Sequence, residues 1–155
     1  MFADSEPLVP IFGFQLLGIG KGWAKTRWPV MPSLRNPIGV ITGQMAAMLA
    51  DLGVYASLMR VNASDRTPTY VMTVKFLKPV LPEDEALVAT ALAGRIRTAK
   101  DGKRKSIIVR VEIRSEKIGN LKASAKVRFS IMPETVVQMF IERERSELLA
   151  KSAKN

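Results

Sequence analysis

The sequence predicts an α+β fold: an antiparallel sheet wrapped around one long buried helix, with an extra helix at the C-terminus. Three observations carry this. From Thr42 to Met59 the residues are apolar nearly all round, which marks a helix buried on most sides. From Tyr70 to Ile131 the hydrophobic period changes to two and stays there through several segments. A sheet that is apolar on one face needs a cover, and the apolar helix is the obvious one. The 155 residues fit a single domain, 1–155, with a core over about 11–132 and a C-terminal helix over about 133–151.

Taken in order, residues 11–30 read as one or two strands, broken near Gly18-Ile19-Gly20-Lys21-Gly22. Residues 28–37 form a loop whose three prolines fix φ and withhold ladder donors. The long helix starts near Thr42, a residue able to act as N-cap, and runs to about Met59. Gly53 inside it costs about 1 kcal/mol relative to alanine, so a close backbone contact with a strand is expected there. A polar loop over 62–68 precedes a strand with Tyr70, Met72, Val74 and Phe76 on one face, ending at Pro79. Residues 87–98 form the next strand. Lys100-Asp101-Gly102-Lys103 is a hairpin turn in which Asp-Gly supplies positive φ. Ile107, Val109, Val111 and Ile113 then alternate with Ile108, Arg110, Glu112 and Arg114. After a turn at 117–120, Leu121 to Ile131 alternate with Lys122, Ser124, Lys126, Arg128 and Ser130 on the outward face. Pro133 opens the last helix, whose stripe of Val136, Val137, Phe140, Ile141, Leu148 and Leu149 packs on the domain or on a partner subunit.

Composition excludes several chemistries. The chain has no cysteine and no histidine. Disulfides, thiolate nucleophiles, Cys-ligated metals, the Ser-His-Asp triad and His-rich zinc sites are therefore unavailable. No secretory signal is evident in the first ten residues, which lack a basic n-region. The apolar run 37–59 is long enough to raise a membrane span, but Gly39, Gly43, Gln44, Asp51 and Gly53 dilute it and amphipathic strands follow. A cytoplasmic protein is the simpler reading, and neither a membrane nor a metal is expected.

Charge is concentrated. Residues 95–128 hold twelve basic side chains against three acidic ones, an excess of nine within a net +10 chain. Such a segment attracts polyanions or is simply a solvated strand face. Nucleic acid is not the expected partner: Phe129 is the only aromatic from Ala86 to Ile131 and falls on the apolar face. By contrast, Asp51 is the one charge between Arg35 and Arg60. A lone carboxylate in an apolar run is either a hydrogen-bonding hub or the working group of a site.

Three stretches carry a resemblance. Asn36-Pro37-Ile38-Gly39-Val40-Ile41-Thr42-Gly43-Gln44, leading to Asp51, resembles the pattern Asn-Pro-x-Gly-x-x-His-Gly-Gly with an aspartate nine residues after the histidine. Thr69 to Pro79 resembles a strand ending in Phe-Leu-Arg-Pro. Residues 87–132 are similar in spacing to the last three strands. The family is that of the hotdog-fold, PaaI-like acyl-CoA thioesterases. Two positions depart from it: Thr42 stands where the family has histidine, and Gln44 replaces the second glycine.

The resemblance implies a homodimer or homotetramer that hydrolyses an acyl thioester, with coenzyme A as part of the substrate and no separate cofactor. Asp51, Asn36 and Gly43 are the implied catalytic set. Backbone N–H groups at a helix start suit an oxyanion. Asp51 lies nine residues beyond Thr42, about 13 Å along the axis, so it cannot serve the same carbonyl as its own helix start. A site shared between two subunits is expected. Thr42 and Gln44 would touch substrate, although Thr42 reads first as an N-cap and Asn36 reads equally as a loop-capping amide. Lys78, Arg95, Arg97, Lys103 and Arg104 are candidates for the phosphates of coenzyme A. The alternative is a hotdog protein that binds an acyl thioester without turning it over.

Overall fold

The computed structural model describes residues 11–100, 102 and 105–152. Among these, the strands are β1 (Gln15–Gly20), β2 (Trp23–Pro29), β3 (Asp65–Arg66), β4 (Thr69–Phe76), β5 (Ala86–Ala93), β6 (Arg97–Thr98), β7 (Lys105–Ser115) and β8 (Leu121–Pro133). They form one antiparallel sheet in the order β1-β2-β5-β7-β8. Both β3 and β4 lie on the far side of β8, and β6 pairs with β7. The helices are α1 (Gly43–Asp51), α2 (Val54–Leu58) and α3 (Glu134–Ser152).

The sheet curls around α1 and α2, and the core sits between them. Trp28, Leu49, Ile107, Val109, Val127 and Phe129 are fully buried there. Each large apolar side chain of this kind contributes about 1.5–3 kcal/mol through burial.

The long helix expected over 42–59 is two helices, separated at Leu52 and Gly53. The reason is the contact that the glycine permits. A Cβ at Gly53 would stand 2.9 Å from the Ala50 carbonyl oxygen and 3.1 Å from Val111 Cγ2 on β7. The backbone touches the sheet at this point. Thr42 occupies the N-cap position of α1, but its side chain makes no capping hydrogen bond.

Two β-bulges change the facing that strict alternation predicts. In β4, Thr69 lies opposite Phe129 and Val71 opposite Arg128, so Tyr70 is the extra residue. In β8, Ala123 lies opposite Ile113 and Leu121 opposite Arg114, which makes Lys122 the extra residue. A bulge re-aims side chains. Lys122, expected on the solvated face, is therefore buried. Its Nζ donates to Asp84 Oδ2 at 2.8 Å and to the Pro79 carbonyl at 3.0 Å. Asp84 Oδ2 also accepts from the Leu81 N–H at 2.8 Å. Burial opposes ionisation of Asp84, but the hydrogen bonds from Lys122, Leu81 and Ser115 outweigh it and hold the carboxyl below the ordinary carboxylate range.

Helix α3 starts at Glu134, with Pro133 still in β8. It is joined to β3 by the Arg66–Glu134 ion pair at 2.7 Å. It buries no residue fully: Val136 and Val137 of the expected stripe are half-buried near its start, whereas Phe140, Ile141, Leu148 and Leu149 are exposed, so that part of the stripe does not pack on the domain within the single chain. No helix among the described residues is long and apolar enough to cross a membrane.

Candidate functional site

Asn36 is held by its own loop. Its Oδ1 accepts the backbone N–H groups of Ile38 and Val40, both at 3.1 Å. Its backbone N–H donates to Val40 O at 2.8 Å. The loop-capping role is thus filled by the carbonyl half of the amide, and the Nδ2 half has no partner among the described residues. The loop is in turn clamped to the fold by Thr42 N–H donating to Leu34 O and Ile41 N–H donating to Val80 O. This places Asn36 beside the start of α1.

The first N–H groups of a helix have no partner within it and carry the positive end of its dipole. At α1 those groups belong to Gly43 and Gln44. A groove of about 380 Å³ opens here, lined by Asn36, Ile38, Gly43, Phe76, Lys78 and Lys122 among others. A Cβ at Gly43 would sit 3.0 Å from Phe76 Cε1. The glycine thus lets the Phe76 ring reach the helix start, where it forms one wall of the groove. Thr42 Oγ1 donates to Gln44 Oε1 across 3.4 Å, a long contact; neither of these two expected substrate-binding residues lines the groove of the single chain.

Asp51 stands at the other end of α1, about 12 Å along the axis from Gly43. It is half-buried in the single chain rather than sunk in the core. Its Oδ1 accepts a hydrogen bond from Thr69 Oγ1 at 2.6 Å, a short charge-assisted contact. Thr69 escapes a reading by alternation, because the odd-numbered residues of β4 should point outward with Val71, Thr73 and Lys75. Only the bulge at Tyr70 turns it inward. The one sequence signal for it is its place at the head of the Thr69–Pro79 stretch.

The cations predicted for phosphate do not converge within one chain. Lys78 is exposed on the groove wall, and its N–H donates to Lys122 O. Arg95 and Arg97 are exposed at the opposite end of the sheet: Arg97 pairs with Ser106, which pairs with Ser130. Lys103 and Arg104 lie outside the described residues. Lys122, read from the sequence as solvated, borders the groove, with its ammonium engaged by Asp84. Among the described residues, no group of three or more acidic side chains is placed to hold a metal ion.

Seen along β4, the elements fall into two sets. Asp51 and Thr69 mark one end of the strand; Gly43, Phe76 and Asn36 mark the other. The strand between them has an edge that no described residue pairs, and it exposes Tyr70, Val71, Met72 and Phe76. An exposed apolar edge of this length is a template for pairing with another chain.

No protein-family model and no curated protein matches the chain. Solved structures do match in fold. A thioesterase of Haemophilus influenzae is similar with a TM-score of 0.68 at 20% identity, over 83% of this chain and 85% of that one. The phenylacetic acid degradation protein PaaI of Thermus thermophilus gives 0.67 at 20% identity, over 81% and 98%. The E. coli PaaI protein gives 0.68 at 17% identity, over 84% and 88%. At these identities the likeness establishes the fold. The chain has the hotdog fold, and its structural neighbours are PaaI-like thioesterases.

Proposed function

We propose that the protein is an acyl-CoA thioesterase whose sites are shared between two copies of the chain paired along β4. The observation that supports this best is the position of the Asp51–Thr69 hydrogen bond at one end of an open strand whose other end meets Gly43. Antiparallel pairing of two β4 edges sets the Thr69 end of one chain against the Phe76 end of its partner. Asp51 of one chain then faces the helix start of the other, which its own helix start cannot match at about 12 Å.

In such a site the thioester oxygen is held by the N–H groups at the start of α1, with the free Nδ2 of Asn36 beside it. Asp51 takes a proton from water, and the water oxygen adds to the carbonyl carbon. The carbon–sulfur bond then breaks, and the thiol leaves with the proton that Asp51 returns. Thr69 keeps the Asp51 carboxylate aimed. The acyl chain runs into the groove walled by Ile38 and Phe76. Coenzyme A enters only as part of the substrate, and no cofactor is required. One observation favours binding without turnover: threonine stands at the family's histidine position, and its hydroxyl is turned to Gln44.

The test is thiol release from short, long and aromatic acyl-CoA esters. The chain has no cysteine, so a thiol reagent sees product alone. Native protein should turn over part of the panel, and Asp51→Asn should lose it. Mixing inactive Asp51→Asn with inactive Asn36→Ala should restore about one quarter of native activity, since half of the dimers are then mixed and each carries one intact site. Absence of turnover with acyl-CoA still bound would leave the binding function; no recovery on mixing would refute the shared site.

A further inference from the structure

The outer, convex face of the sheet carries a feature that the groove does not use. Register places Trp23, Leu92, Arg110, Lys126 and Thr73 in one row across five strands. Arg110 lies directly opposite Lys126, and Arg128, two residues on, lies between Ile108 and Val71. These three cations are exposed and alternate with buried Val109, Val127 and Phe129. None has an ion pair among the described residues, although neighbours on the same face do: Arg114 with Glu112 at 2.9 Å and Arg27 with Glu116 at 2.7 Å. Like charges directly opposite each other destabilise a sheet. At the far end of the row the Trp23 indole lies over Gly18 and Gly20. A Cβ at Gly20 would fall 2.3 Å from Trp23 Nε1, so the two glycines form a bed for the ring. Trp23 is still 42% exposed, and Leu92 59%.

We infer that this face docks an acidic protein, the carrier that delivers the acyl group on a phosphopantetheine arm. The inference rests on the thioester reading above and adds a carrier protein to the acyl donors of that site. A compact polyphosphate is best held by cations converging from several sides, and these stand on one plane. The row from Trp23 to Lys126 spans three strand spacings, about 14 Å, which suits part of a protein footprint rather than a small ligand. An apolar stretch beside unpaired cations complements a surface that is itself apolar and acidic. A nucleic acid duplex is convex like this face and offers no apolar counterpart, and a single strand needs successive aromatic platforms where this face has Trp23 alone.

The groove agrees with this choice. Lys122 is taken up by Asp84, which leaves Lys78 as the cation on the groove wall without an ion pair among the described residues. That cation is available to the phosphate of a carrier arm, which coenzyme A also carries. The route also fits: Lys75 on the convex face is followed by Phe76, and Lys78 stands where the chain rounds the end of β4.

The test is binding of fluorescently labelled holo-acyl carrier protein to the native chain and to the variant Arg110→Glu/Arg128→Glu. That variant keeps Lys126 between two carboxylates, so the fold retains its charge balance; its melting temperature should match the native one. Native protein should bind the carrier at low salt and lose affinity as salt rises. The double variant should bind at least tenfold more weakly, whereas Lys151→Glu on α3 should bind as the native chain does. Unchanged affinity in the double variant, or no binding at low salt, overturns the inference. So does tighter binding of a 20-base-pair DNA duplex that the same variant abolishes. Should the carrier bind as expected while no thioester is hydrolysed, the docking face stands and the thioesterase reading fails.

Discussion

Replacing Asp84 by asparagine isolates one buried charge without changing shape. The side chains of Asp84 and Lys122 are 2% and 5% exposed, and their contact is 2.8 Å. Taking both charges out of water is costly, and their attraction compensates only while both are present. Removing one partner of such a pair costs about 3–5 kcal/mol, because the other is left buried without a counter-charge. Lys122 in Asp84→Asn would keep the Pro79 carbonyl, a neutral acceptor, at 3.0 Å. For a chain of this size, each kcal/mol lowers the melting temperature by about 2–4 °C, so the expected fall is about 6–20 °C. Urea unfolding should show a lower midpoint with an unchanged slope. The double variant Asp84→Leu/Lys122→Met should recover most of the loss, since an apolar pair carries no desolvation penalty. The pH dependence has a definite sign. The Asp84 carboxyl is held below its ordinary range in the folded chain. Its contribution is therefore complete above the unfolded carboxylate pKa and disappears as pH falls through the lower folded value. Asp84→Asn should remove that acid-side slope and lower stability at neutral pH. A change within about 1 kcal/mol at neutral pH would refute the argument, since it would mean that Lys122 finds water or another partner.

Two further outcomes follow from the geometry. Thr69→Val removes the hydroxyl that donates to Asp51; thiol release should fall about 10–100-fold, with kcat rather than KM affected, and Thr69→Ser should restore most of it. Equal loss in the serine variant would show that the threonine methyl, not the hydrogen bond, matters. Gly53→Ala tests the contact between helix and sheet. Alanine restricts the unfolded chain, a gain of about 0.4–1 kcal/mol at this right-handed backbone position, yet its Cβ meets the Ala50 carbonyl at 2.9 Å and Val111 at 3.1 Å. Overpacking of this kind costs about 1–3 kcal/mol, so thermal melts should show a net loss of stability. A rise in melting temperature would mean that the sheet yields.

Residue pattern alone determined the class of the fold, because burial imposes a period. The alternation of Val109, Val111 and Ile113 with charged neighbours requires a sheet with one buried face, and the largely apolar run after Thr42 requires an element enclosed by it. The same economy of charge drew attention to Asp51, and the Asn36–Gln44 stretch marked the helix start where Gly43 stands. Tertiary structure decided what local periodicity cannot encode. A bulge depends on which residue the neighbouring strand presents, so the inward turn of Thr69 and the burial of Lys122 were invisible to alternation. The break of the helix at Gly53 reflects the approach of β7, far away in sequence. The separation of Lys78 from Arg97, and the meeting of Trp23, Arg110 and Lys126 in one row, arise only when distant strands are laid side by side. Contacts between residues far apart in the chain are set by register, and register is fixed by the packed sheet as a whole.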